Sequence, residues 1–261
     1  WNGRDPILKE RLFGLTNSEG NHGEDVKELY YYLDATPTHS YLKMLYKYPQ
    51  RAYPYAQLVE ESQRRARTQA EYELFDTGVF AENRYFDVFV EYAQAHVDDV
   101  LMRIPIHNRG PEAATIQVLP QLLFRNTWAW RNGAAKPRLA QHGEHVLVQH
   151  DVLGEHRWYV DGNPSLLFTE NETNTQRLYD VPNVGYVKDA FHERVVNDNV
   201  RAVNPAHEGT KAAAWYRLDL PAGGSTETRT RLCKTVYTQP FADFDAILAA
   251  RVREADEFYA E

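Results

Sequence analysis

Residue types able to do chemistry gather in three stretches of this sequence. The first holds His22, Glu24 and Asp25, followed by Tyr32, Asp34 and His39. Histidine and carboxylates among tyrosines can hold hydroxyl groups or move protons near neutral pH. The same stretch also reads as an exposed turn, with Asn21 and Asp25 satisfying nearby backbone amides. The second is LLFTENETNTQ, Leu166–Gln176, where an apolar start gives way to Glu170, Asn171, Glu172 and Asn174. In an extended chain Glu170 and Glu172 share one side. Paired carboxylates are the machinery of glycoside hydrolysis, but nothing in the neighbouring sequence encloses one of them in apolar surface. Asn171-Glu172-Thr173 is also a glycosylation sequon, which has meaning only in a secreted chain.

The third stretch holds His142, His145 and His150. Its His-Gly-Glu-His order lacks the helical His-Glu-x-x-His spacing of zinc hydrolases, so no metal is expected. The single Cys233 excludes a cysteine-built zinc site and an internal disulfide, and it reads as a small buried filler. The sequence has no Gly-x-Ser-x-Gly elbow, phosphate loop or dinucleotide fingerprint, and no cofactor is expected.

Composition bounds what surrounds these residues. The chain has 261 residues, 43% hydrophobic and 25% charged, the makeup of an ordinary globular domain. A net charge of −8 argues against nucleic-acid partners and against a polybasic membrane surface. Mean hydropathy is −0.61, and no segment approaches the roughly 20 apolar residues that span a bilayer. The lone cysteine and the absence of a visible leader lean toward a cytoplasmic location. The chain opens at Trp1 and closes inside a helical pattern, so both ends are expected to be cuts in a longer chain.

The elements follow from periodicity. Residues 1–55 read as an irregular arm broken by Gly14, Gly20, Gly23, Pro37, Pro49 and Pro54, with eight tyrosines between Tyr30 and Tyr55. Within it Val26–Asp34 suggests a short aromatic strand, while Thr38–Tyr48 fits a helix or a loop. Ala56–Ala70 reads as a short solvated helix. From Tyr85 the period becomes two: Phe86, Val88, Val90 and Tyr92 face one way, Asp87 and Glu91 the other. A strand through Val100–Ile106, the turn Asn108-Arg109-Gly110-Pro111 and a strand from Ala114 suggest a hairpin. Ala214–Leu220, Pro221-Ala222-Gly223-Gly224 and Thr226–Leu232 suggest another, with Glu227, Arg229 and Arg231 on its wet face. Phe241–Glu261 recurs at helical spacing and needs a surface to pack on, which sequence beyond Glu261 is expected to supply. The fold expected is all-β: a large antiparallel super-β-sandwich with an irregular arm, a short helix and a C-terminal linker helix.

The wording of several stretches adds to this. Leu12–Tyr55, Phe86–Tyr92, Asn108–Pro111, Phe124–Trp128, FTENETNT, Val187–His192 and Gly209–Ala213 resemble the amino-terminal region of bacterial glucosidase-like proteins of glycoside hydrolase family 63. The resemblance covers nearly the whole chain. It implies a sandwich over residues 1–240, a linker helix starting at 241–261, and a helical-barrel domain beyond it. It implies inverting hydrolysis of α-glucosidic linkages by two carboxyl groups of that barrel, none of them in this chain, which is not expected to be active alone. His22, Glu24, Asp25, Tyr32, Asp34 and His39 are the first candidates to border a carbohydrate substrate. Glu170, Asn171, Glu172 and Asn174 are the second. One alternative is a carbohydrate-binding module that stacks sugars on Trp128, Trp130, Trp158 or the tyrosines. Another is an interaction domain that dimerises through its tyrosines.

Overall fold

A computed structural model describes residues 1–12, 27–130 and 133–260. His22, Glu24 and Asp25 lie outside the described residues. Antiparallel strands with alternating burial dominate, as the period of two requires. In chain order they are β1 (Leu29–Ala35), β2 (Tyr41–Pro49), β3 (Tyr85–His96), β4 (Asp99–Asn108), β5 (Ala114–Val118) and β6 (Gln121–Leu123). Then follow β7 (Arg138–His142), β8 (His145–His150), β9 (Gly154–Val160), β10 (Ser165–Thr169), β11 (Glu208–Gly209), β12 (Lys211–Leu220) and β13 (Ser225–Cys233). Four α-helices accompany them among the described residues, besides short 3-10 turns: α1 (Tyr55–Arg64), α2 (Thr175–Tyr179), α3 (Ala190–Val195) and α4 (Phe244–Tyr259).

Nine strands form one sheet in the order β1-β2-β3-β4-β13-β9-β8-β7-β11. The smaller sheet runs β10-β12-β5, with β6 also paired to β12. Their facing sides make the core. Leu139, Val146, Val148 and Trp158 meet Phe168, Ala212 and Ala214 at one end, and Phe86, Ile104 and Ile106 meet Ile116 and Leu220 at the other. The next residue along, Ala213, turns to the outer side of the small sheet, where Leu8, Leu167, Phe191 and Val195 cover it. The alanine run therefore lets covering layers approach β12 closely on both faces. The expected all-β sandwich is the fold observed.

Several details depart from expectation. Tyr41–Pro49 is a full strand, paired with both β1 and β3, so six of the eight arm tyrosines, Tyr30 to Tyr32, Tyr41, Tyr46 and Tyr48, lie in the sheet. The turns at 108–111 and 221–224 do not close hairpins. They are corners that carry the chain between sheets, because β4 pairs with β3 and β13 while β5 pairs with β12. Asn108, fully buried, ties the corners together: its Nδ2 donates to Glu112 O at 2.7 Å and Pro221 O at 3.0 Å. α1 stops at Arg64 and inserts Leu58 into a cluster with Tyr53, Tyr72, Leu74 and Val79.

The face assigned to solvent on β3, β4 and β13 is largely covered. α4 lies on it, packing Phe244 and Leu248 on Ala93 and Leu101. The helix thus finds its packing surface within this chain. Asp87, Glu91 and Arg231 are buried there, each against opposite charge: Asp87 with Lys47 at 2.5 Å, Glu91 with Arg103 at 2.7 Å, Arg231 with Asp99 at 2.7 Å.

Candidate functional site

The first sequence candidates fall at an edge. Tyr32 lies on β1, the outermost strand of the large sheet, and is 80% exposed. Its ring meets Tyr30 edge-on at 5.7 Å. Asp34 follows an irregularity in the β1–β2 pairing and sits opposite Lys43. His39 takes a left-handed turn at φ 56° and donates its backbone N–H to Thr36 O at 2.9 Å. Among the described residues these side chains converge on no common point.

The second candidates do converge. After β10 the chain emerges as a strap, residues 170–174, held along the end of β12. Thr210, just before β12, gives its hydroxyl to Glu170 Oε2 at 2.6 Å and accepts the Asn171 amide at 2.8 Å. Gly209 makes room for this: a Cβ there would stand 2.1 Å from the Thr169 carbonyl oxygen. Asn171 donates to Phe124 O at 2.8 Å. Asn174 caps α2 by accepting the Arg177 N–H at 3.0 Å, and its amide donates to the buried Asp189 carboxylate.

Glu172 is clasped from the segment after β6. Trp128 Nε1 donates to its Oε1 at 2.5 Å and Asn126 Nδ2 to its Oε2 at 2.7 Å. Lys136 lies 3.1 Å from Glu170 Oε2 and 3.8 Å from Glu172 Oε1, bridging the pair. The two carboxylates share one ammonium and together accept three other hydrogen bonds. Oxygens held in place this way suit the orienting of other groups. Beside them Trp130 is 64% exposed, with the Arg125 guanidinium 4.8 Å above its ring. The indole face that the guanidinium leaves open can stack on a sugar ring, and fixed hydrogen-bonding groups can hold its hydroxyls.

Asn126, Lys136 and Thr210 were not foreseen as site residues. Phe124–Trp128 stood out only through its resemblance, and no local signal marked Lys136. Trp158 is buried in the core and offers no platform. Of the histidines, His150 Nδ1 accepts backbone N–H groups of Val152 and Leu153, bracing a turn. His142 and His145 lie side by side at 5.3 Å across β7–β8. Among the described residues no group of three or more His, Cys, Asp or Glu side chains is placed to hold a metal ion. Cys233 is buried, and burial pushes its thiol up to about 11.

No family model matches the chain. It is similar to the uncharacterized protein YMR196W of Saccharomyces cerevisiae, 38% identical over an alignment covering 99% of this chain. The chain spans about 28% of that relative's length. Among the described residues no helix is long and apolar enough to cross a membrane.

Proposed function

We propose that this chain is the amino-terminal sandwich of a glycoside hydrolase related to family 63, one that cleaves α-glucosidic linkages with inversion. Its acid and base lie in a helical-barrel domain outside this sequence, and the sandwich shapes one wall of the substrate cleft. The observation that carries this reading is the clasp on Glu172 by Trp128 and Asn126, shared with Lys136 and set beside the exposed Trp130. Such a surface of fixed hydrogen-bonding groups orients a glycan without taking part in proton transfer. The resemblance of the strap and arm sequences supports the family, and the greater length of the yeast relative leaves room for a catalytic domain. A cytoplasmic location accords with the single cysteine.

The test uses the intact enzyme. Glu172→Ala and Trp130→Ala should each lower kcat/KM on α-gluco-oligosaccharides about tenfold, with little change on a one-sugar aryl glucoside. A fall of about 1000-fold in kcat on the aryl glucoside would make Glu172 catalytic and overturn the reading.

The exposure of Trp130 favours a second reading, a carbohydrate-binding module. Saturable binding of oligosaccharide by this chain alone, lost in Trp130→Ala, would select it.

A further inference from the structure

On the other side of the strap lies a buried charge that the strap does not use. Lys211 opens β12, and its side chain is 4% exposed. Its Nζ donates to Glu10 Oε2 at 2.5 Å and to Lys188 O at 2.7 Å, and lies 5.0 Å from the Phe191 ring centre. The other Glu10 oxygen, Oε1, is buried without a hydrogen-bond partner. An unmatched carboxylate oxygen out of water is costly. The segment carrying Glu10 is nevertheless firmly placed. His192 Nδ1 accepts the Leu8 N–H at 3.2 Å, and Tyr48 donates to the buried Asp5 at 2.9 Å.

Glu10 stands between two hollows. One, of about 360 Å³, has charged and amide groups in its wall, among them Arg11, Asn171, Lys188, Asp189 and Lys211, beside Leu119 and Leu123. The other, of about 270 Å³, is mostly apolar, lined by Trp1, Tyr46, Val88, Ile116 and Val118. Both count Glu10, Leu119 and Gln121 in their walls. Single hollows of this size fall at the small end of ligand pockets, but joined compartments accommodate a larger molecule.

The polar wall selects its occupant. It mixes carboxylates, ammonium and guanidinium groups and amides, so an anion meets Glu10 and Asp189 while a cation meets Arg11, Lys188 and Lys211. A hydroxyl both donates and accepts, and so can use the carboxylates and the amides of Asn171 and Gln121 together. The adjoining hollow is mostly apolar, with Ile116, Val118 and Val88 in its wall, and suits an alkyl chain or a ring.

We propose that the two hollows form one binding site for an uncharged amphiphile of the alkyl or aryl glycoside class. Its polyhydroxyl head lies toward Glu10, Asn171 and Gln121, and its apolar tail against Trp1, Ile116 and Val118. The site lies within this chain and does not depend on the glycosidase reading. Burial also holds the Glu10 carboxyl above the usual range, with Lys211 pulling it back down.

The test titrates this chain with hexyl glucoside, methyl glucoside and hexanol by calorimetry and by amide NMR. Each buried methylene contributes a factor of about four. Hexyl glucoside should therefore bind at least about tenfold more tightly than methyl glucoside, and at least about tenfold more tightly than hexanol. Amide shifts should move at Ile116, Val118 and Gln121. Val118→Trp, which fills the apolar hollow, should erase the advantage of the hexyl chain. Gln121→Leu should weaken both glucosides about fivefold and leave hexanol unchanged. Absence of saturation would overturn the proposal, as would hexanol binding as tightly as the glucoside. Shifts confined to the Trp130 surface would overturn it too, even if a variant fails to fold.

Discussion

Two buried ion pairs fasten opposite sides of this sandwich, and they are finished differently. Arg231 on β13, 1% exposed, meets Asp99 on both carboxylate oxygens, Nε to Oδ1 at 2.8 Å and Nη2 to Oδ2 at 2.7 Å. Its Nη1 reaches Asp243 Oδ1 at 2.6 Å and Pro240 O at 2.8 Å, and its guanidinium lies 4.1 Å from the Tyr237 ring centre. Every guanidinium nitrogen and both Asp99 oxygens are matched. Lys211 and Glu10 form a shorter list of bonds, with one Glu10 oxygen left unmatched beside a cavity. A saturated pair has only one thing to do, which is to lock the start of α4 to the sheet. An unsaturated pair at a cavity wall keeps hydrogen-bonding capacity for something else.

Breaking the pairs separately should expose this difference. Arg231→Met leaves Asp99 buried and uncompensated, and should cost about 3–5 kcal/mol in urea unfolding. A loss comparable to that of a surface charge would mean that α4 is held by apolar packing alone. Lys211→Met should cost less, about 2–3 kcal/mol at neutral pH, because Glu10 can take up a proton.

The pH dependence sharpens the contrast. Burial raises the folded-state Glu10 carboxyl, and Lys211 is the strongest influence pulling it back down. Without Lys211 it rises further. A raised carboxyl favours the fold below its unfolded range and loses that contribution as pH rises. The gap between Lys211→Met and the parent should therefore narrow from pH 7 to pH 5. A gap that stays constant would show that Glu10 does not titrate.

Gly209→Ala should act on the strap side only. A methyl group there drives against the Thr169 carbonyl oxygen, so about 1–2 kcal/mol should be lost with disturbance at Thr210 and Glu170 but none at Arg231. NMR shifts on both sides of the molecule check this. Smallest of all, Tyr32→Ser on the exposed edge should change stability by about 0.5 kcal/mol or less. A larger loss would give the β1 edge a packing role that its exposure does not suggest.

The faces of the strands were legible in sequence, and their covering was not. Phe86, Val88 and Val90 alternate with Asp87 and Glu91 as the period of two demands. Whether the polar side meets water depends on α4 and on cross-strand Lys47 and Arg103, which are distant in sequence. Arg231 illustrates the point: read as a wet-face residue, it is the largest fully buried side chain among the described residues. The corners at Asn108 and Gly223 carry ordinary turn residues, and nothing local says whether such a turn closes a hairpin or changes sheets. For the candidate site, Glu170, Asn171, Glu172 and Asn174 were visible by type and order. Their partners Asn126, Lys136 and Thr210 come from 34 to 46 residues away, as in Lys136–Glu170 and Asn126–Glu172, a separation at which residue type alone carries no signal. Tyr32, Asp34 and His39 carried the same promise by type, and only their placement on an open edge distinguishes them.

The claim that the sandwich guides substrate while other residues cleave it is most directly tested by following the anomer released. On the proposed function, the intact protein, mixed with an α-gluco-oligosaccharide and watched by proton NMR, should release β-glucose first, and this chain alone should release none. Initial α-glucose, or hydrolysis by this chain by itself, would contradict the account.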